Sequence, residues 1–140
     1  MSVRAGEAIV LCGVALLNIL AFVIDGWPCG KIYSRSCLGT SNLIPMVVSL
    51  FKITIVLSLI AATAQTVSLF SDPHSNLVQR LLFVSKVLTC LVANLDVFIV
   101  IFYYSHLTVC FWSHIISALC AGMVLAIAIT KLCYDYRVVQ

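Results

Sequence analysis

The sequence predicts an all-α fold: an integral-membrane, antiparallel four-helix bundle with a short, disulfide-tied extracellular loop. Three observations carry that prediction. Of 140 residues, 63% are hydrophobic and only 9% charged. Ordinary soluble domains carry about 25% charged residues, so this chain has too few polar groups to cover a water-facing surface, and its mean hydropathy of +1.16 agrees. Four apolar stretches, residues 7–24, 44–70, 81–104 and 108–130, are long enough to span, the requirement being roughly 20 residues each. The connections between them are short, so residues 1–140 read as a single four-helix transmembrane domain.

The first stretch follows Arg4, as the apolar run of a signal peptide would. Its end, Phe22-Val23-Ile24-Asp25, lacks the small-x-small cleavage pattern, so it is expected to stay as a helix. The loop after it, DGWPCGKIYSRSCLGTSNL, is rich in Gly, Pro, Ser and Asn and predicts irregular backbone. Trp27 and Tyr33 suit the headgroup level, where an amphipathic ring is stable. Cys29 and Cys37 form a pair outside the spans on one loop; they are expected to form a disulfide that ties it to the helix ends, the alternative being two free thiols.

Between the second and third stretches, SDPHSN is a turn: Pro73 ends one helix, and Asp72 or Ser75 is placed to cap the next, with His74 a solvated loop residue. The third connection, Tyr104 to Leu107, is tight enough to make the last two helices an antiparallel hairpin. Tyr103, Tyr104, His106 and Trp112 read there as interfacial anchors.

Orientation follows from the basic residues. With the N-terminus in the cytoplasm, Arg4, Arg80, Lys131 and Arg137 lie inside and Lys31 and Arg35 outside, a positive-inside bias. The loop cysteines agree, because a disulfide needs the oxidising side. Both termini are therefore expected to be cytoplasmic, in a membrane of the secretory pathway or the plasma membrane.

Two ionisable residues lie deep in the spans. Lys52 is eight residues inside the second stretch and Asp96 eight residues from Tyr104, each about 12 Å from the outer face at about 1.5 Å per residue. Equal depth on sequential helices predicts a Lys52–Asp96 ion pair; the alternative is that Lys52 extends alone toward the headgroups while Asp96 bonds a Tyr or Ser. Ser85, Thr89, Ala93 and Tyr103 share a helical face with Asp96, which turns that face inward. Lys86 is close enough to the inner end to act as an anchor. A second polar line, Thr54, Ser58, Ala61 and Gln65, points away from Lys52. Two polar faces on one helix imply protein on both sides, from a central position in the bundle or an external partner; for the latter, Thr54, Ser58 and Gln65, with Trp27 and Tyr33, are the candidate partner-binding residues. Ala118, Gly122 and Ala126 form a small-residue ridge that permits close approach of another helix.

Several function classes are disfavoured. The eight basic residues are scattered rather than clustered, so nucleic acid is not an expected partner. No CxxC, HExxH or paired carboxylates occur, and His106 and His114 read as anchors, so neither an enzyme, a metal centre nor a bound cofactor is expected. Cys90 and Cys120 are small packing residues, whereas Cys12 and Cys133 fall near the cytoplasmic ends, where acylation can occur.

Trp27 followed by Cys29 and Cys37 after the first helix, both ends inside and four spans covering the whole chain make the arrangement similar to small four-span proteins of the claudin and peripheral-myelin-protein kind. The resemblance implies a stapled first loop and a role in adhesion, trafficking or as a channel auxiliary. The first loop here, from Asp25 to Leu43, is shorter than that family's and only Pro28 separates Trp27 from Cys29, so a paracellular pore is not implied. The expected role is a non-enzymatic accessory, scaffolding or trafficking subunit in the lipid bilayer beside another integral membrane protein. The alternative is a homo-oligomeric channel or transporter built on Lys52 and Asp96.

Overall fold

The computed structural model describes residues 3–25, 27, 30–39, 43–71, 75–106 and 112–139. The helices are α1 (Val3–Val23), a short α2 (Arg35–Leu38), α3 (Ile44–Phe70), α4 (Asn76–His106) and α5 (Trp112–Val139). The four long helices begin or end within a few residues of the expected bounds, except that α4 starts five residues earlier and α5 runs nine residues further than the hydropathy implies. At both places polar residues continue a helix whose hydrogen bonds do not depend on side-chain polarity.

Local chemistry sets the ends. Pro45 occupies the first turn of α3, where its missing N–H costs nothing. Ser75 caps α4, its Oγ accepting from the Val78 N–H at 3.2 Å; the other capping candidate, Asp72, lies outside the described residues. Within the helices, hydroxyls bond their own backbone, as Ser49 to the Pro45 carbonyl at 2.9 Å and Thr66 to the Ala62 carbonyl at 2.8 Å, which removes an unsatisfied donor from an apolar setting.

The helices run up and down around a square in the order α1, α3, α4, α5, with α5 closing against α1; α1 and α4 form one diagonal and α3 and α5 the other. One end of the bundle carries the Asp25–Leu43 connection and is called the loop end; the opposite end carries the N-terminus.

The bundle is inverted relative to a water-soluble protein. Its outside is lined by Leu16, Ile53, Val56, Phe83, Leu91 and Ile101, among others, whereas Asn18, Thr54, Ser58, Gln65, Ser85, Thr89 and Asp96 are buried. So much exposed apolar surface would drive aggregation in water but matches hydrocarbon. Among the described residues, three helical segments, Ala5–Val23, Ile44–Phe70 and Asn76–Tyr103, are long and apolar enough to cross a membrane, and α5 contributes a shorter apolar segment, Ile115–Lys131.

The connection at the loop end folds inward. Trp27 and Gly30 exchange backbone hydrogen bonds at 3.2 and 2.9 Å, and Gly30 has φ +89°, a conformation that favours glycine. This turn drives the Trp27 ring into the bundle, where its Nε1 donates to the Ala21 carbonyl at 3.0 Å. The ring meets Phe51 and Tyr103 edge-on, with centroids 5.8 and 5.1 Å away. Ile32 and Cys37 complete this apolar cap with Ile44, Val47, Val48 and Ile99.

Candidate functional site: two buried polar layers and an exterior lysine

Each long helix carries polar residues at one shared spacing. Eleven residues separate Glu7 from Asn18 on α1, Thr54 from Gln65 on α3, Ser85 from Asp96 on α4, and Cys120 from Lys131 on α5. Eleven residues make three helical turns, about 16 Å at about 1.5 Å per residue. Both members of each pair therefore share a helical face, which points to the bundle interior. Because neighbouring helices are antiparallel, the eight residues fall into two layers.

The lower layer, toward the N-terminal end, joins all four helices. Gln65 Nε2 donates to Glu7 Oε2 at 3.0 Å, and Ser85 Oγ donates to Gln65 Oε1 at 2.9 Å. Lys131 Nζ donates to Gln65 Oε1 and Ser85 Oγ, each at 3.4 Å, and lies 3.8 Å from Glu7 Oε2. Thr89 bonds the Ser85 carbonyl at 2.6 Å and Ser68 the Gln65 carbonyl at 2.7 Å. Here a cation, a carboxylate and neutral donors offset one another.

The upper layer does not close in this way. Its direct contact runs along a diagonal: Asn18 Nδ2 donates to Asp96 Oδ2 at 3.4 Å, which puts both groups at the bundle axis. Thr54 and Cys120 occupy the other corners, and Ser117 lies one turn nearer the loop end. All five are at most 1% exposed. Among the described residues, Asn18 Oδ1, Asp96 Oδ1, Thr54 Oγ1 and Ser117 Oγ have no hydrogen-bond partner. Between the layers lie the apolar residues Leu11, Val14, Ala62, Val92, Ala93, Val124, Ile127 and Ala128.

Several expectations need correction. Lys52 and Asp96 do not meet: Asp96 is fully buried beside Asn18, while Lys52 is exposed on the outside of α3. Equal depth along two helices leaves the helical angle open. Lys52 is two residues, about 200° at about 3.6 residues per turn, from Thr54, and α3 turns its Thr54 side inward. The same choice overturns the assignment of Thr54, Ser58 and Gln65 to an external partner. They are 0–1% exposed and line the core, with Ser58 bonding the Ile55 carbonyl at 2.8 Å. Trp27 is likewise 4% exposed and part of the cap, because its indole finds both a carbonyl and two rings inside. Tyr33 remains exposed and stacks on Phe22 at 5.4 Å. Lys131, counted among the flanking charges, points into the lower layer instead.

Of the cysteines, Cys12, Cys90 and Cys120 are free, with Cys12 exposed. Cys37 is fully buried in the cap. Its expected partner Cys29 lies outside the described residues, as do His74 and the side chains of Cys133, His106 and His114. Ala118, Gly122 and Ala126 lie on the exposed side of α5.

The residues that sequence reasoning missed are Glu7, Asn18, Lys131 and Ser117. A legible signal exists: the eleven-residue spacing recurs on all four helices, but it emerges only when the spans are compared rather than read singly. Comparison of the chain with protein-family models, with characterised proteins and with solved structures finds no match.

Proposed function

We propose that this chain is a non-enzymatic, four-span membrane protein that acts as an accessory subunit of a larger membrane complex, docking through the outer face of α3. The observation that carries this reading is Lys52, exposed part-way along a span whose other outward residues include Ile53, Val56, Leu59, Ile60 and Val67. An ammonium group at that depth is costly against hydrocarbon and is stabilised by an acidic group on a neighbouring span. The internal carboxylate does not serve it, so the partner supplies one. α1 contributes Glu7 and Asn18 to the two layers, so its removal as a signal peptide would dismantle both; this supports its retention as the first span. The proposed topology has both termini cytoplasmic and a Cys29–Cys37 disulfide holding the cap on the oxidising side, and Cys12 is a candidate for acylation.

The reading is tested by purifying the tagged chain in mild detergent, with mass spectrometry and size analysis of the eluate. A stoichiometric membrane protein with Asp or Glu in a span is expected, lost with Lys52→Met and recovered when Lys52→Asp is combined with Lys at the partner's acidic position. A homogeneous oligomer of this chain alone, or a partner that still binds Lys52→Met, would overturn it.

A further inference from the structure

We propose that the upper layer is an internal binding site for a monovalent cation of the sodium class, held by Asp96, Asn18, Thr54 and Ser117. The inference goes beyond the accessory role and stands whether or not the α3 face finds a partner.

The first ground is the set of atoms. Four oxygens, one from each long helix, are buried to at least 99% and lack hydrogen-bond partners among the described residues. Unsatisfied buried polar groups are uncommon in folded proteins and usually mark water, an ion or a functional site. Two of these oxygens, Asn18 Oδ1 and Asp96 Oδ1, can only accept when the carboxyl is ionised. The Asn18 amide already donates to the other carboxylate oxygen, so the layer is short of positive charge, not of acceptors.

The second ground is charge. The lower layer uses Lys131 against Glu7, whereas Lys52 faces outward, so neither balances Asp96. An isolated carboxylate in an apolar interior is strongly disfavoured, and a single positive charge neutralises it. A divalent ion would leave a net charge of one in the same setting.

The third is donor type. Carboxylate, amide and hydroxyl oxygens are hard ligands that suit hard cations. Among the described residues no group of three His, Cys, Asp or Glu could hold a transition metal. Cys120, the α5 member of the layer by spacing, stands alone there as a soft donor. Tyr103 lies two turns above Asp96 on the same face of α4, and with Trp27 and Phe51 it covers the layer on the loop-end side.

The test is the thermal unfolding midpoint of the purified full chain in detergent, after long equilibration in sodium, potassium or N-methylglucamine chloride at equal ionic strength. Sodium is expected to raise the midpoint saturably, by roughly 5 °C at concentrations well above Kd. The rise should vanish in Asp96→Asn. If that variant does not fold, Thr54→Val and Ser117→Ala each remove one ligand and should raise the half-saturating sodium concentration several-fold. Equal midpoints in the three salts would mean that a proton neutralises Asp96 and would overturn the proposal. So would a sodium effect that survives in Asp96→Asn, or half-saturation unchanged in both ligand variants.

Discussion

The two polar layers are built at the same positions on the same four helices, yet they differ in kind. In the lower one, Lys131 and Glu7 bring opposite charges to 3.8 Å, and Gln65 donates to one while accepting from the other. In the upper one, Asp96 accepts from the Asn18 amide, and among the described residues four oxygens there have no partner. Position in the fold therefore does not determine role. What separates the layers is whether α5 presents an ammonium group or, three turns earlier, the thiol of Cys120. The lower layer ties four helices together through one hydrogen-bonded cluster, whereas the upper layer leaves buried oxygens unpaired among the described residues.

The largest effect is expected at the cap that separates the upper layer from the loop end. Trp27→Ala removes the bond to Ala21 and the edge contacts with Phe51 and Tyr103, and should cost about 3–5 kcal/mol. A denaturant titration in detergent measures the loss, and a change below about 1 kcal/mol would mean that the cap is not part of the cooperative core.

Next comes the lower layer. Lys131→Met strands the Glu7 carboxylate and strips a donor from Gln65 and Ser85, and should cost about 3 kcal/mol, the low end for a broken buried pair because Glu7 is partly exposed. Combining it with Glu7→Leu should restore most of that stability in the same titration. Equal losses in the single and double variants would show that the two charges are uncoupled.

The upper layer should respond with the opposite sign. In sodium-free buffer Asp96→Asn removes an unbalanced charge and offers an amide donor to Asn18 Oδ1, so stability should be unchanged or rise by about 1 kcal/mol. A loss like that of Lys131→Met would erase the distinction between the layers.

The smallest change is Lys52→Met, which removes an exterior charge and strands nothing inside. The isolated chain should keep its unfolding midpoint to within about 0.5 kcal/mol. A large loss would mean that Lys52 has an internal role.

Much of the fold is legible in the amino-acid sequence. Apolar run length locates all four long helices, and the face of α4 carrying Ser85, Thr89, Ala93, Asp96 and Tyr103 is read correctly because period 3.6 on one helix is a local property. The candidate site is legible only in part. Asp96 is buried as expected, but its partner is Asn18, a neutral residue on the diagonal helix; it is the one amide in an otherwise apolar run, yet nothing in that run says which helix it meets. Glu7 marks the start of the first apolar stretch and Lys131 counts as a cytoplasmic-side charge, and only their distance in space reveals a pair.

By itself, then, the sequence determines that the chain is helical, where its four apolar stretches lie, and which residues share each helical face, because hydrogen bonding and hydropathy act within single segments. It does not determine which of the two polar faces of α3 points inward, nor that Trp27 enters the core. Those outcomes depend on which of two arrangements satisfies more buried polar atoms across four helices at once. Turning Thr54, Ser58 and Gln65 inward links Gln65 to three other helices, whereas turning Lys52 inward would leave that line facing lipid. That balance involves residues scattered from Glu7 to Lys131, and only tertiary packing decides it.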